Sequence, residues 1–564
     1  MQYDALRKAW SDLTAPGAPF ETTVIEVRGA PMRIFKTAPR NVRDFWLSTA
    51  AFGERTYLVY QDDRLTYAET HRQARAVAAW LWAQGVRPGD RVGVAMRNYP
   101  EWLAIYWACC SIGAAAVGFN AWWAPDELDY GLRDARPKVV FCDAERLDRL
   151  SGSADALAGV TLVGVRLDAP RPGVTAWSEV IATPGPLPDA DIDPDDDACV
   201  FYTSGTTGRP KGAQLTHRGC VNNLMNVAFV GQVQALAMAR MAGLDAPPVM
   251  PPPISLLATP LFHVTANNCG AYAVTAAGGT IVLMYRWDPA EALRLIEQEH
   301  ITVMNAVPVM ARELVDHPDR PRRDLSSLLV LGGGGAQLHP DLVAKIDAEV
   351  GQARPNTGYG MTETSGIVTS VGGPFYVGKS NSVGPVMPTF EAKCVDDDGR
   401  DAGPGGVGEL WVRGAGVIKG YLNRPEANAE MITEGWLHTG DVARIDADGF
   451  VYIVDRKKDM VLRGGENIYC AEVEACLHRH PAVAECSVFG VPDERLGEEV
   501  GAAVYARPGE QLTAEALREV CAAHMAKHKT PRYIWILPEP LPRNVTGKYL
   551  KRELRERLSL EAAS

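Results

Sequence analysis

The residues that most clearly spell out chemistry are Tyr202–Gly212, which read YTSGTTGRPKG. A β-prone run, Ala198–Tyr202, leads into Thr203, Ser204, Gly205, Thr206, Thr207, Gly208, Arg209, Pro210, Lys211 and Gly212. Four hydroxyls can donate hydrogen bonds, three glycines let backbone N–H groups approach closely, and Lys211 adds positive charge. That combination fits a polyphosphate. A plain polar turn needs only one or two such positions. The Walker loop is excluded: it requires Gly-x-x-x-x-Gly-Lys-Ser/Thr, whereas Lys211 lies between Pro210 and Gly212. Gly403–Gly408 matches GxGxxG by letter, but it leads into a strand instead of a helix, so it is no dinucleotide fingerprint.

Further motifs follow downstream. Asn356–Thr364 (NTGYGMTET) places Tyr359, Thr362 and Glu363 within five residues. An aromatic face, a hydroxyl and a carboxylate are what adenine, an α-phosphate and Mg²⁺ need. Then come Gly435–Val442 (GWLHTGDV), Asp455–Lys458 (DRKK), Gly464–Asn467 (GGEN) and Pro542–Lys548 (PRNVTGK). In this order the motifs resemble the adenylate-forming superfamily: acyl-CoA synthetases, free-standing peptide-synthetase adenylation domains and firefly-type luciferases. The resemblance covers nearly the whole chain.

The resemblance implies roles for named residues. Thr203–Gly208 and Lys211 would hold the ATP phosphates, with Thr206 and Glu363 at Mg²⁺. Gly334, Gly335, Ala336 and Gly358–Thr362 would line the adenine and α-phosphate site, with Tyr359 on the adenine. Asp441 and Arg456 would take the ribose, beside Ile453. Lys458 would be the hinge pivot; many relatives have Asp there, though Lys also occurs. Gly464, Gly465, Glu466 and Asn467 would line the coenzyme A channel. Lys548 would be the catalytic lysine, an ammonium bridging carboxylate and phosphate as charge develops on phosphorus; Thr362, Glu363 and His263 complete the catalytic set. Pro260–His263 (PLFH) resembles the motif beside the acyl pocket, which His263, Gly333, Gly334, Gly366 and Ile367 would line.

These residues need a scaffold. A chain of 564 residues is longer than one hydrophobic core normally supports. Short β-prone runs such as Arg91–Met96, Lys138–Cys142, Thr280–Met284 and Leu328–Leu331 alternate with helical stretches such as Thr66–Gln84 and Pro289–Glu299. That alternation predicts α/β layers with largely parallel sheets. From about Asp397, Asp- and Gly-rich turns separate short strands, Gly408–Arg413 and Phe450–Val454, predicting a β-rich subdomain. After the charged run Asp455–Asp459, helix Cys470–Arg479, strands Glu485–Val491 and Val500–Ala506 and helix Thr513–Ala523 predict a small α+β domain. The expected layout is a large adenylate-forming domain over 1–455, with two α/β subdomains and the β-rich one. A hinge at 456–458 and a mobile C-terminal domain over 459–564 complete it.

Composition narrows the partners. A formal charge of -12 argues against nucleic acid or anionic lipid, while Lys527–Arg555 concentrates basic residues where anionic substrates would need them. Eleven cysteines without a CxxC pair argue against zinc and fit free thiols in a reducing cytoplasm. Trp102–Ala124 lacks any charge, but its glycines and tail suit a buried helix and strand better than a membrane span.

The expected reaction is carboxylate plus ATP to acyl-AMP and pyrophosphate, then transfer to coenzyme A with release of AMP. Medium- or long-chain fatty acids or bulky hydrophobic acids suit the glycines at 278–279 and 332–335; an aryl-acid CoA ligase and an enzyme loading a carrier protein in trans are the alternatives. A luciferase-like oxygenase would share the nucleotide motifs, and a non-catalytic relative should lack Lys548 or Glu363. The expected partners are the acid, ATP and coenzyme A, with homodimerisation left open. The Pro-rich Ala246–Ile254 is expected to be an extended loop, and the segment Gln234–Ile254 could reshape the pocket entrance.

Overall fold

The computed structural model describes residues 2–203, 209–335, 338, 340–464, 466–543 and 549–558. The chain forms two compact units, Met1–Glu391 with Val412–Leu437, and Ala392–Trp411 with His438–Ser564.

The first unit carries two large sheets. In one, seven strands run in the order Lys211–Thr216, Asp197–Thr203, Ala115–Gly118, Arg91–Ala95, Val139–Cys142, Thr161–Gly164 and Val174–Ala176. All neighbours are parallel except the edge hairpin Asp197–Thr203/Lys211–Thr216. The other sheet has eight strands, in the order Gly366–Gly372, Arg354–Met361, Val330–Gly333, Val303–Asn305, Ile254–Leu257, Thr280–Leu283, Thr56–Tyr60 and Asp63–Thr66. Its interior is parallel and both edges are antiparallel.

Helix ends follow from local chemistry. Thr66 and Glu69 form a capping box that starts helix Tyr67–Ala83. Asp288 caps Pro289–Glu299, and His300 ends it in a left-handed conformation. The charge-free run resolves into helix Pro100–Ser111, buried on every face, and strand Ala115–Gly118. Trp107 of that helix stacks on Trp46 with centroids 5.0 Å apart. Among the described residues, no helix is long and apolar enough to cross a membrane.

One detail differs from the sequence expectation. The strand expected at Leu328–Leu331 lies at Val330–Gly333, because the glycines pair as readily as the apolar residues before them. Gln234 lies in helix His217–Met241, which runs unbroken through 25 residues, and irregular chain occupies 242–253, where the Pro-rich loop is expected.

In the second unit, residues 441–445 pair antiparallel with 451–456. The C-terminal part is a sheet of Glu466–Ile468, Val461–Arg463, Gly497–Ala506 and Val483–Asp493, with Tyr533–Leu537 added in parallel to the third. Helices Cys470–Leu477 and Ala514–His524 cover it around Val473, Leu477, Val488, Val504 and Leu517.

Candidate active site

The hairpin of the first unit pairs Thr203 with Lys211. Ser204, Gly205, Thr206, Thr207 and Gly208, between them, lie outside the described residues. Residues 419–422 run beside the second strand: Gln214 N–H donates to Gly420 O at 2.9 Å, and Leu422 N–H donates to Gly212 O at 2.8 Å. Asn428 fixes this edge by accepting from Tyr421 N–H and donating back to Tyr421 O. Tyr421 is thereby presented to the chemistry. The Lys211 ammonium sits 5.1 Å from its ring centroid. Its hydroxyl donates to Glu363 Oε1 at 2.5 Å. Burial, then the charge of Glu363, push the phenol far above its usual range, so it stays protonated and able to donate.

Beneath the hairpin lies a supporting set. Tyr202 donates to Asp134 at 2.9 Å, Arg424 pairs with the same carboxylate at 3.3 Å, and Tyr130 donates to Pro210 O at 3.0 Å.

Glu363 sits in the short turn Thr362–Thr364 between the last two strands of the second sheet. Its main-chain oxygen accepts from Ile418 N–H at 3.0 Å. With Oε1 engaged by Tyr421, the buried carboxylate presents Oε2, which has no hydrogen-bond partner among the described residues. Among those residues there is no cluster of three or more His, Cys, Asp or Glu that could hold a metal by itself. One carboxylate beside the hairpin expected to bind phosphate would fit Mg²⁺, which keeps waters and substrate phosphates as its other ligands.

The glycines of the predicted nucleotide site pack backbone on backbone. A Cβ on Gly333 would meet Ala306 O at 2.0 Å, one on Gly334 would meet Gly358 O at 3.2 Å, and one on Gly360 would meet Gly366 O at 1.9 Å. Gly333, Gly334, Gly358, Gly360 and Gly366 are therefore brought together, with Tyr359 and Met361 on the same strand. Gly335 follows at the strand's end, and Ala336 lies outside the described residues. His263 opens the π-helix Thr265–Ala271: its carbonyl accepts from Ala266 and Asn267 N–H at 3.1 and 3.0 Å. The segment before it is clamped by Asn98, which accepts from Leu261 N–H and donates to Thr259 O, both at 2.9 Å. Ile367 is joined to the same π-helix through Asn223, which accepts from Ile367 N–H and donates to Asn268 O.

In the second unit, Asp441 and Arg456 are register partners and form an ion pair at 3.2 Å. Ile453 pairs with Ala443 on the same ladder. Asp455 accepts from the N–H groups of Arg456 and Cys470, anchoring the 456–458 run to helix Cys470–Leu477. Burial, then Arg456, hold the Lys458 ammonium below its ordinary range. Gly464, Glu466 and Asn467 form the turn and second strand of a tight hairpin, with Arg463 opposite Glu466 and Leu462 opposite Asn467. Gly465 and Lys548 lie outside the described residues.

Residues 45–422 match the model of the AMP-binding enzyme family, and 472–548 match that of the AMP-binding enzyme C-terminal domain. The chain belongs to this family. It is 36% identical over 496 residues to a feruloyl-CoA synthase of Amycolatopsis sp, covering 87% of this chain and 94% of the relative. It is 35% identical over 521 residues to the 3-[(3aS,4S,7aS)-7a-methyl-1,5-dioxo-octahydro-1H-inden-4-yl]propanoyl:CoA ligase of Rhodococcus jostii, covering 90% and 96%. Among solved structures, the o-succinylbenzoate CoA synthetase of Bacillus subtilis, in complex with the acyl-adenylate intermediate OSB-AMP, superposes with a TM-score of 0.74 at 29% identity, covering 91% of this chain and 97% of that one. The fold is that of the adenylate-forming enzymes, a large N-terminal α/β domain with a smaller C-terminal domain. This family member is an AMP-forming acid–CoA ligase that uses ATP and coenzyme A.

The sequence expectation named Lys211, Glu363, Asp441 and Arg456 but not Tyr421 or Asn223. Tyr421 had a signal: a Gly-Tyr-Leu-Asn-Arg-Pro run just before a helix start. Asn223 had no such signal, being one of three buried amides, with Asn222 and Asn226, on the same helix.

Proposed function

We propose that this ligase activates a bulky, ring-bearing apolar acid, first as its acyl-adenylate and then as its coenzyme A thioester. The three relatives described above are named for ring-bearing acids, which favours rings over the straight fatty chain that the glycines alone would also admit. The observation that supports adenylation most is the convergence of Lys211 and Glu363 on Tyr421.

In this reading Thr203–Gly208 and Lys211 bind the ATP phosphates, and Tyr359 faces adenine with Gly334–Ala336 behind it. Asp441 and Arg456 bind the ribose. Glu363, with Thr206, would hold Mg²⁺, which neutralises phosphate charge when bound. Thr362 positions the α-phosphate. Lys548 places its ammonium between the acid's carboxylate and that phosphate, offsetting the charge that grows in the transition state. The acid lies along His263, Gly333, Gly334, Gly366 and Ile367. Thiol attack then expels AMP, with Gly464–Asn467 lining the approach of coenzyme A. The exchange would turn on a hinge at 456–458, pivoting on Lys458, with 1–455 and 459–564 as the parts it joins. A reducing cytoplasm is the matching compartment for eleven free cysteines.

A panel of acids assayed for coenzyme A-dependent AMP release tests this. Aryl and polycyclic propanoic acids should be turned over with kcat/KM well above that of medium- and long-chain fatty acids. Preference for a fatty acid would overturn the ring-bearing assignment, and release of AMP without coenzyme A, with light or amide formation, would overturn the ligase reading.

A further inference from the structure

Two buried amide side chains join the turn carrying Thr362 and Glu363 to the helix that follows His263. Asn223 lies in helix His217–Met241 and Asn268 in the π-helix; both are fully enclosed. Asn223 Oδ1 accepts from Ile367 N–H at 2.9 Å, and its Nδ2 donates to Asn268 O at 3.0 Å. Asn268 Nδ2 donates to Ser365 O at 3.2 Å, and its Oδ1 accepts from Asn267 Nδ2 at 3.0 Å. The two main-chain groups that flank Gly366 are therefore both held by amides.

That grip is built into the backbone. Ser365 adopts φ +55°, a left-handed conformation that persists only where its surroundings enforce it. Gly366 has φ +147°, and a Cβ there would lie 2.1 Å from Asn223 Oδ1. Within the turn, Thr364 Oγ1 accepts from Met361 N–H at 3.0 Å and donates to Gly366 O at 2.8 Å. An amide inside a helix lowers helix propensity, and burying it is unfavourable without partners. Apolar residues would serve packing better at 223 and 268, so the amides answer to the turn.

We infer that Asn223 and Asn268 are positioning residues for adenylation: they fix the main chain at 365–367 and through it aim Thr362 and Glu363. This rests on the placement of Glu363 at the nucleotide site proposed above. Neither side chain touches substrate; both act through the turn.

Asn223→Asp tests the inference, because it keeps shape and acceptor but turns an oxygen toward Asn268 O. Asn226→Asp is its control, a buried amide on the same helix that donates to Thr389 Oγ1 and does not touch the turn. Pyrophosphate exchange by Asn223→Asp should lose about a hundredfold in kcat, the scale of a small misplacement at a reacting centre. KM for ATP and thioester formation from supplied acyl-adenylate should hold, and the melting temperature should fall no further than in Asn226→Asp, which keeps its kcat. If Asn223→Asp does not fold, Asn268→Ser serves, since it retains the Asn223 bond to Ile367 and removes the bond to Ser365 O together with those to Asn267 Nδ2 and Cys220 Sγ; the same selective loss of exchange is expected. Wild-type exchange in both variants, equal loss of both half-reactions, or loss in step with Asn226→Asp would overturn the inference. Glu363→Gln separates it from the site reading: full exchange by that variant defeats the site, whereas an inactive Glu363→Gln beside a normal Asn223→Asp defeats the positioning role alone.

Discussion

The hydroxyl of Tyr421 donates to Oε1 of Glu363 at 2.5 Å while the Tyr421 ring lies under the Lys211 ammonium. One phenol thus spaces the cation of the hairpin from the carboxylate of the turn. Without it, Lys211 and Glu363 would be free to pair directly, and each would be withdrawn from the phosphate and the cation it is proposed to hold.

Tyr421→Phe keeps the ring and removes the bond. A hydrogen bond to a charged group is worth about 1.5–3 kcal/mol, which corresponds to roughly ten- to hundredfold in rate if expressed in the transition state. Pyrophosphate exchange should fall by that factor and its Mg²⁺ requirement should rise. Exchange at the wild-type rate across a Mg²⁺ titration would show that the bond only supports the fold.

Asp441 and Arg456 face each other on one ladder at 3.2 Å. If they hold the ribose, wild-type enzyme should discriminate against 2′- and 3′-deoxy-ATP. Asp441→Ala should raise KM for ATP by about tenfold, one hydrogen bond's worth, and should lose that discrimination. A variant that still prefers ATP over both analogues would move the ribose elsewhere.

Much of this was legible because the informative residues are chemically exceptional. Hydroxyls, glycines and a lysine after a strand, or a carboxylate two residues beyond Gly-Met, have few structural reasons to cluster. Tyr421 and Asn223 were silent for the opposite reason: a phenol beside a strand and an amide on a helix are ordinary core residues until their partners are known. Those partners lie 58 and 144 positions away in the chain. The strand–helix alternation was readable because its periodicities are local. The return of Val412–Leu437 to the first unit was not, because it depends on long-range pairing of 419–422 with 211–214.

Gly366→Ala should be among the costliest single-methyl changes in the molecule. The new Cβ would meet Asn223 Oδ1 at 2.1 Å and Nδ2 at 2.5 Å on a residue with φ +147°. Overpacking and left-handed strain together amount to about 2–4 kcal/mol. Denaturant midpoints should shift accordingly, and a shift no larger than that of Gly231→Ala, where a Cβ meets nothing within 4 Å, would mean the helix moves aside freely.

His217 gives the protein an acid-sensitive core. The ring is wholly buried, and its Nδ1 accepts from Val42 N–H at 3.3 Å, which requires the neutral form. Burial pushes its pKa down to about 3 from 6.5. The unfolded chain therefore binds the proton first. Its contribution to stability is complete above about pH 6.5 and is lost as pH falls toward 3, at about 1.4 kcal/mol per pH unit. His71, stacked on Trp46 and pushed down to about 4 by burial, adds in the same direction but less, since water screens it in part. Unfolding free energies at pH 7.5 and pH 5 should differ by about 2 kcal/mol less in His217→Asn than in the wild type. An unchanged difference would mean that the ring meets solvent and titrates as in the unfolded chain.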